Sequence, residues 1–168
     1  MRVCIIGSFQ KYYYDIVRII NLFDDIGIST LSPKKSIIDR NEDGFVILKS
    51  DYEEFLHEDI QLMVFHRMFL SDFVYVWNPD GYIGKTTCYE IGRASEKGIP
   101  IYYKERPVDV PIAIPQNSIW TPEELCEYIQ KHQALPTLNF LEGSLTWKLV
   151  EALQCEKYFK EMDEVITQ

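Results

Sequence analysis

The sequence lacks any apolar run near the roughly 20 residues that a membrane-spanning helix needs. Its opening stretch, MRVCIIGSFQ, is too short an apolar run for a signal peptide. Basic charge is also scarce. Seventeen Lys and Arg stand against 26 Asp and Glu, a net charge of −9. Nucleic-acid binding depends on cations that neutralise phosphates, and an anionic membrane surface makes the same demand, so both are argued against. The remaining meaning of the charge is a solvated acidic surface. Cys4, Cys88, Cys126 and Cys155 form no CxxC pair, and the three histidines lie far from them in sequence. That argues against structural zinc and a disulfide framework. The expectation is a cytoplasmic chain with no metal site and no cofactor.

At 168 residues the chain has the size of a single domain. It can bury about two thirds of its unfolded surface, so it needs no staple. Its apolar fraction of 46% is ordinary, but aromatics reach 14% with 11 tyrosines. Tyrosines build ligand pockets as well as cores. There is no internal repeat and no low-complexity linker.

Residues 3–6 form an apolar run closed by Gly7, a buried first strand. Tyr12, Ile16, Ile19, Ile20 and Phe23 then recur at threes and fours, an amphipathic helix that Gly27 suits as a stop. Residues 28–31 predict a second strand, and the polar residues 34–44 a loop. Residues 45–48 predict a short strand. A capping box at residues 50–53 opens a helix running to about residue 70. Residues 73–77 predict a buried strand, 86–97 a helix and 99–103 another strand. Residues 105–115 carry three prolines and read as irregular. Thr121-Pro122-Glu123-Glu124 starts a further helix.

Strands alternating with helices imply an α/β fold: a doubly wound, mostly parallel sheet of the flavodoxin or Rossmann-like kind. Residues 1–134 are expected to form this domain, and residues 135–168 a helical C-terminal extension. In that extension Leu145, Leu149, Ala152, Cys155, Phe159, Met162 and Ile166 form one apolar stripe at helical spacing. The stripe needs cover, either from its own domain or from a second subunit. The expectation taken from it is a homodimer or higher homo-oligomer.

Ligands of such sheets bind beyond the carboxyl ends of the strands. Two loops fall there, residues 7–11 and 78–85. In the second, Gly84-Lys85-Thr86 looks like the end of a phosphate loop. The place of that loop's first glycine is held by Pro79, which has no N–H to offer a phosphate. Glu90 lies one helical turn past Thr86 and Thr87, near the expected mouth of the crevice, though a lone Glu on a helix is usually solvated surface.

The stretch from residue 71 to residue 94 resembles the signature of the nucleoside 2-deoxyribosyltransferase family and its nucleotide N-glycoside hydrolase relatives. The matching features are Ser71-Asp72, then Asn78-Pro79-Asp80-Gly81-Tyr82-Ile83-Gly84, then Glu90-Ile91-Gly92-Arg93-Ala94. Gly7-Ser8-Phe9 is similar to the family's opening loop, and residues 98–102 to its next strand. The resemblance spans roughly residues 1–104. It implies that Glu90 is the nucleophile, that Asp72 belongs to the catalytic set, and that the substrate is a nucleoside or nucleotide. A carboxylate capturing C1′ fits the oxocarbenium-like state through which such bonds break. The loop residues Gly7, Ser8, Gly81 and Gly84 would shape the pocket. Asn78 and Asp80 would hold sugar hydroxyls, and Phe9 and Tyr12 would stack on the base. The N–H groups at Thr86 and Thr87 would face an oxyanion or phosphate. Phe9, Tyr12, Asn78 and Asp80 fit plain turn or core chemistry equally well. The chain departs from the family near Val64, where the relatives carry an aspartate. His66 is a candidate for that proton-transfer role, or else a partly buried helix residue. A nucleotide-binding or sensing domain without catalysis therefore stands as the alternative.

Overall fold

A computed structural model describes residues 1–33, 38–42, 45–48, 57–108 and 110–139, with the backbone alone for 38–42 and 45–48. Four strands, β1 (Arg2–Gly7), β2 (Ser29–Ser32), β5 (Phe73–Trp77) and β6 (Ile101–Tyr103), form a parallel sheet in the order β2-β1-β5-β6. Two further strands, β3 (Ile38–Glu42) and β4 (Phe45–Leu48), pair antiparallel in a sheet of their own. The helices are α1 (Phe9–Asp25), α2 (His57–Phe69), α3 (Lys85–Glu96) and α4 (Pro122–His132).

The period of two along the strands decides which helix covers which face. Val3, Ile5, Phe73, Tyr75, Trp77 and Tyr102 point to one side. There they meet Ile16, Ile19, Ile20 and Phe23 of α1 and Leu125, Cys126 and Ile129 of α4. Cys4, Ile6, Val74, Val76, Ile101 and Tyr103 point to the other side, against Phe65 and Met68 of α2 and Ile91 and Ala94 of α3. Every residue of β5 is buried, as expected of a central strand covered on both faces. The α/β, doubly wound architecture expected from the sequence is the one observed.

Four expectations need correction or fall outside the described residues. Residues 38–42, expected in a loop, form a strand, because antiparallel pairing with β4 satisfies their backbone although four of the five residues are polar. The last parallel strand starts at Ile101, since Ile99 N–H bonds back to the Ala94 carbonyl to end α3. The capping box at residues 50–53 and the apolar stripe of residues 145–166 lie outside the described residues. On α4 the Thr121 hydroxyl accepts from Glu124 N while the Glu124 carboxylate accepts from Thr121 N, the predicted box. Residues 135–139 run back along the domain, and the Tyr102 hydroxyl donates to the Pro136 carbonyl at 2.5 Å.

Candidate active site

β1 and β5 lie side by side, with Gly7 level with Trp77 at their carboxyl ends. From there α1 carries the chain outward to β2, whereas α3 carries it to β6 on the other side. The two loops diverge at the topological switch point, the place where sheets of this kind bind their ligands. Gly7 permits the close approach, since a Cβ there would sit 2.7 Å from the Trp77 carbonyl oxygen. Ser8 opens α1 and its carbonyl accepts from the N–H groups of Lys11 and Tyr12. The backbone leaves helical angles at Tyr12 (φ −130°, ψ 29°). The Lys11 ammonium lies 4.9 Å from the Tyr12 ring centroid and 5.0 Å from that of Tyr82, so one cation links the two loops. Phe9 and Tyr12 are half-buried against the core face that includes Trp77. Trp77 is itself buried, and its Nε1–H has no acceptor among the described residues.

The loop after β5 is a short 3-10 turn, Pro79–Gly81, with Asp80 (φ 59°) and Gly81 (φ 70°) both left-handed. A Cβ on Gly81 would sit 2.7 Å from the Arg106 carbonyl oxygen. Asn78 is fully buried. Its Nδ2 donates to the Glu105 carbonyl at 2.7 Å, and its Oδ1 accepts from Glu105 N at 3.1 Å. Both ends of this amide are spent on strapping the β5 loop to the β6 loop, which removes Asn78 from the residues expected to hold sugar hydroxyls. Asp80 is exposed. Gly84 caps α3 without a side-chain hydrogen bond. Lys85 and Thr86 face solvent in the first turn, whereas Thr87 is buried.

Glu90 departs from its expected place at the mouth. It is 7% exposed, on the α3 face that also buries Thr87, Ile91 and Ala94. Its partner is Gln61 of α2, whose Nε2 donates to Glu90 Oε1 at 3.0 Å. Burial pushes the Glu90 carboxyl up to about 7, against the pull of the Gln61 hydrogen bond. Below it on β1, burial first and the Glu90 charge second push the Cys4 thiol upward, while Ser32 and Arg67 pull it down. The carboxyl has a neutral donor on it and no ion pair among the described residues, whereas carboxylates in cores are normally paired with a cation.

The other two expected catalytic residues are elsewhere. His66 is exposed on α2. Asp72 precedes β5 at the amino-terminal edge of the sheet, opposite the crevice, where it accepts from Arg2 N at 2.7 Å and from Arg2 Nη2 at 3.1 Å. Parallel strands put the loops before and after β5 on opposite edges, so Asp72 cannot act at the same site as Glu90. Sequence reasoning missed Gln61. The available signal was a polar residue in helical register with the buried Phe65 and Met68.

No protein-family model matches the sequence, and no curated protein matches it. A crystal structure of a conserved protein from Enterococcus faecalis V583 is similar at 21% identity with a TM-score of 0.40, over 61% of this chain and 62% of that one. The chain thus spans less than two thirds of that protein's length, and a likeness this slight carries no argument.

A separate cavity of about 430 Å³ runs beside β6, lined by Ile99, Ile101, Tyr103, Ile112, Leu135 and Leu138 among others. It holds no carboxyl, imidazole, amine or thiol and offers no comparable chemistry. Among the described residues no cluster of His, Cys, Asp and Glu is arranged to hold a metal ion, and no helix is long and apolar enough to cross a membrane.

Proposed function

We propose that this protein cleaves or transfers the N-glycosidic bond of a nucleoside or nucleotide, with Glu90 as the nucleophile. The observation that carries the reading is the buried Glu90 carboxyl, held by the neutral amide of Gln61 between α2 and α3. In the step envisaged, a Glu90 carboxylate oxygen bonds to C1′ of the pentose. The C1′–N bond breaks with its electron pair going to the base, which takes a proton from solvent. Water or a second base then attacks C1′ and frees the carboxylate. Water as acceptor makes a hydrolase, a base a transferase. The positive charge developing at C1′ favours the ionised carboxyl, so the burial that disfavours ionisation in the empty site strengthens attraction in the transition state. Phe9, Tyr12 and Tyr82 would offer aromatic faces for the base, and Lys11 and the start of α3 positive character for a phosphate or for sugar oxygens; Phe9 and Tyr12 lie with the sheet face that α1 covers and Glu90 with the other, so the substrate would reach across the end of the sheet. No step calls for a cofactor.

The test is incubation with a panel of nucleosides and nucleotides, followed by chromatography for free base. Release that is lost in Glu90→Gln supports the reading, and release retained in that variant overturns it. A second reading, a nucleotide-binding or sensing domain without catalysis, is favoured by one observation: neither His66 nor Asp72 stands at Glu90. Calorimetric binding of a nucleotide without any release of base would favour it. We further propose that the chain assembles as a homodimer or higher homo-oligomer through the apolar stripe of its C-terminal segment.

A further inference from the structure

We infer that Gln61 is the positioning residue of this site: its amide, rather than a cation or a second acid, orients the Glu90 carboxyl and keeps its charge available to the substrate. The role rests on the reading of Glu90 as nucleophile. Gln61 stands in register with Phe65 and Met68, which α2 buries against the sheet. A polar side chain beside that stripe needs a partner, and the partner is Glu90 Oε1, 29 residues further along the chain. Ile60 is buried in the preceding position and Leu62 is exposed in the next, so the helix presents the Gln61 amide at the margin of the core.

The chemistry of the donor matters. A Lys or Arg at this place would form an ion pair, typically lowering a carboxyl by about 1–3 pH units and neutralising the charge meant for C1′. A carboxylic acid would share one proton with Glu90. A glutamine fixes one oxygen by a hydrogen bond and adds no charge, which leaves the other oxygen and the whole negative charge for the reacting carbon. Among the described residues the charged and titratable groups around the pair are few. Cys4 faces it from β1 as a neutral thiol, Arg67 reaches the same region from α2, and Arg93 of α3 is engaged with Glu96 at 2.8 Å. Gln61 is thus the polar partner the structure gives to Glu90 among the described residues.

The test replaces Gln61 with Met, which keeps the length and removes the donor, and reads the Glu90 carboxyl directly. Carbon NMR on protein with labelled glutamate, assigned by difference from Glu90→Gln, follows its titration. Loss of a hydrogen bond to a charged group is expected to move the midpoint upward by about 1 pH unit or more in Gln61→Met. The pH at which base release reaches half its plateau moves with it. Gln61→Glu is the second variant, in which the pair is expected to titrate in two separated steps. A midpoint unchanged in Gln61→Met, or a single unperturbed step in Gln61→Glu, overturns the inference. A midpoint that moves as expected in a chain that releases no base keeps the pair and removes the glycosidase reading, so the two failures are distinguishable.

Discussion

Glu90 should make the protein less stable as pH rises, and the size of the effect follows from its burial. The folded chain holds the Glu90 proton up to about 7, whereas an unfolded chain releases it near the ordinary value of 4.5. Between those values the native state carries the extra proton, so raising the pH favours unfolding. The stabilisation is full below 4.5, is lost progressively towards 7, and changes little beyond. At about 1.4 kcal/mol per pH unit the whole window is worth about 3 kcal/mol, of which about 2 kcal/mol falls between pH 5.5 and 8. Glu90→Gln preserves the shape, can still bond Gln61, and has no proton to lose. Urea denaturation of both proteins across this pH range isolates the term, because every other titrating group is shared. The expected result is a variant that gains on the wild type by about 2 kcal/mol between about pH 5.5 and 8, with the difference constant only below the ordinary value of 4.5. Parallel curves would refute the claim that this carboxyl is buried without a compensating charge. The gain in stability would accompany a loss of activity, as is common at functional sites.

Four further outcomes follow. Base release should rise with pH to a plateau through a midpoint near 7, since the ionised Glu90 attacks; a rate that falls over that range would make Glu90 a general acid instead. Asn78→Ala should cost about 2–4 kcal/mol in chemical denaturation, because it leaves both backbone groups of Glu105 without partners; a neutral result would return Asn78 to the ligand. Asp72→Ala should leave base release unchanged and cost at most about 1 kcal/mol, being an exposed ion pair far from the crevice; a large loss of turnover would contradict its placement. Light scattering should find an oligomer for the full chain and a smaller species for one ending at Glu142, and a monomeric full chain would defeat the proposed assembly.

The architecture was legible because hydrophobic period and strand–helix alternation are local signals. The threes and fours of Ile16, Ile19, Ile20 and Phe23 and the unbroken apolar run of β5 leave few alternatives. The hairpin of β3 and β4 was missed because Asp39, Arg40, Asn41 and Glu42 read as loop, although Asp43-Gly44 between the two runs is a strong two-residue hairpin signal. Glu90 was singled out by its motif, but its burial was not foreseen, since exposure depends on what α2 lays over it. Gln61 left only the signal of a polar residue in register with Phe65 and Met68, because its meaning comes from a partner on another helix. Asp72 entered the catalytic set through the resemblance alone, and the structure puts it before β5, at the opposite end of the sheet from the loop that follows that strand.

The central claim is a covalent bond between Glu90 and the sugar, and the mass of the protein during turnover tests it most directly. Chain quenched in acid while releasing base should carry the added mass of one pentosyl group, located by peptide mapping to Glu90 and missing from Glu90→Gln. A chain that releases base and stays unmodified, or is modified at a different residue, would contradict the account.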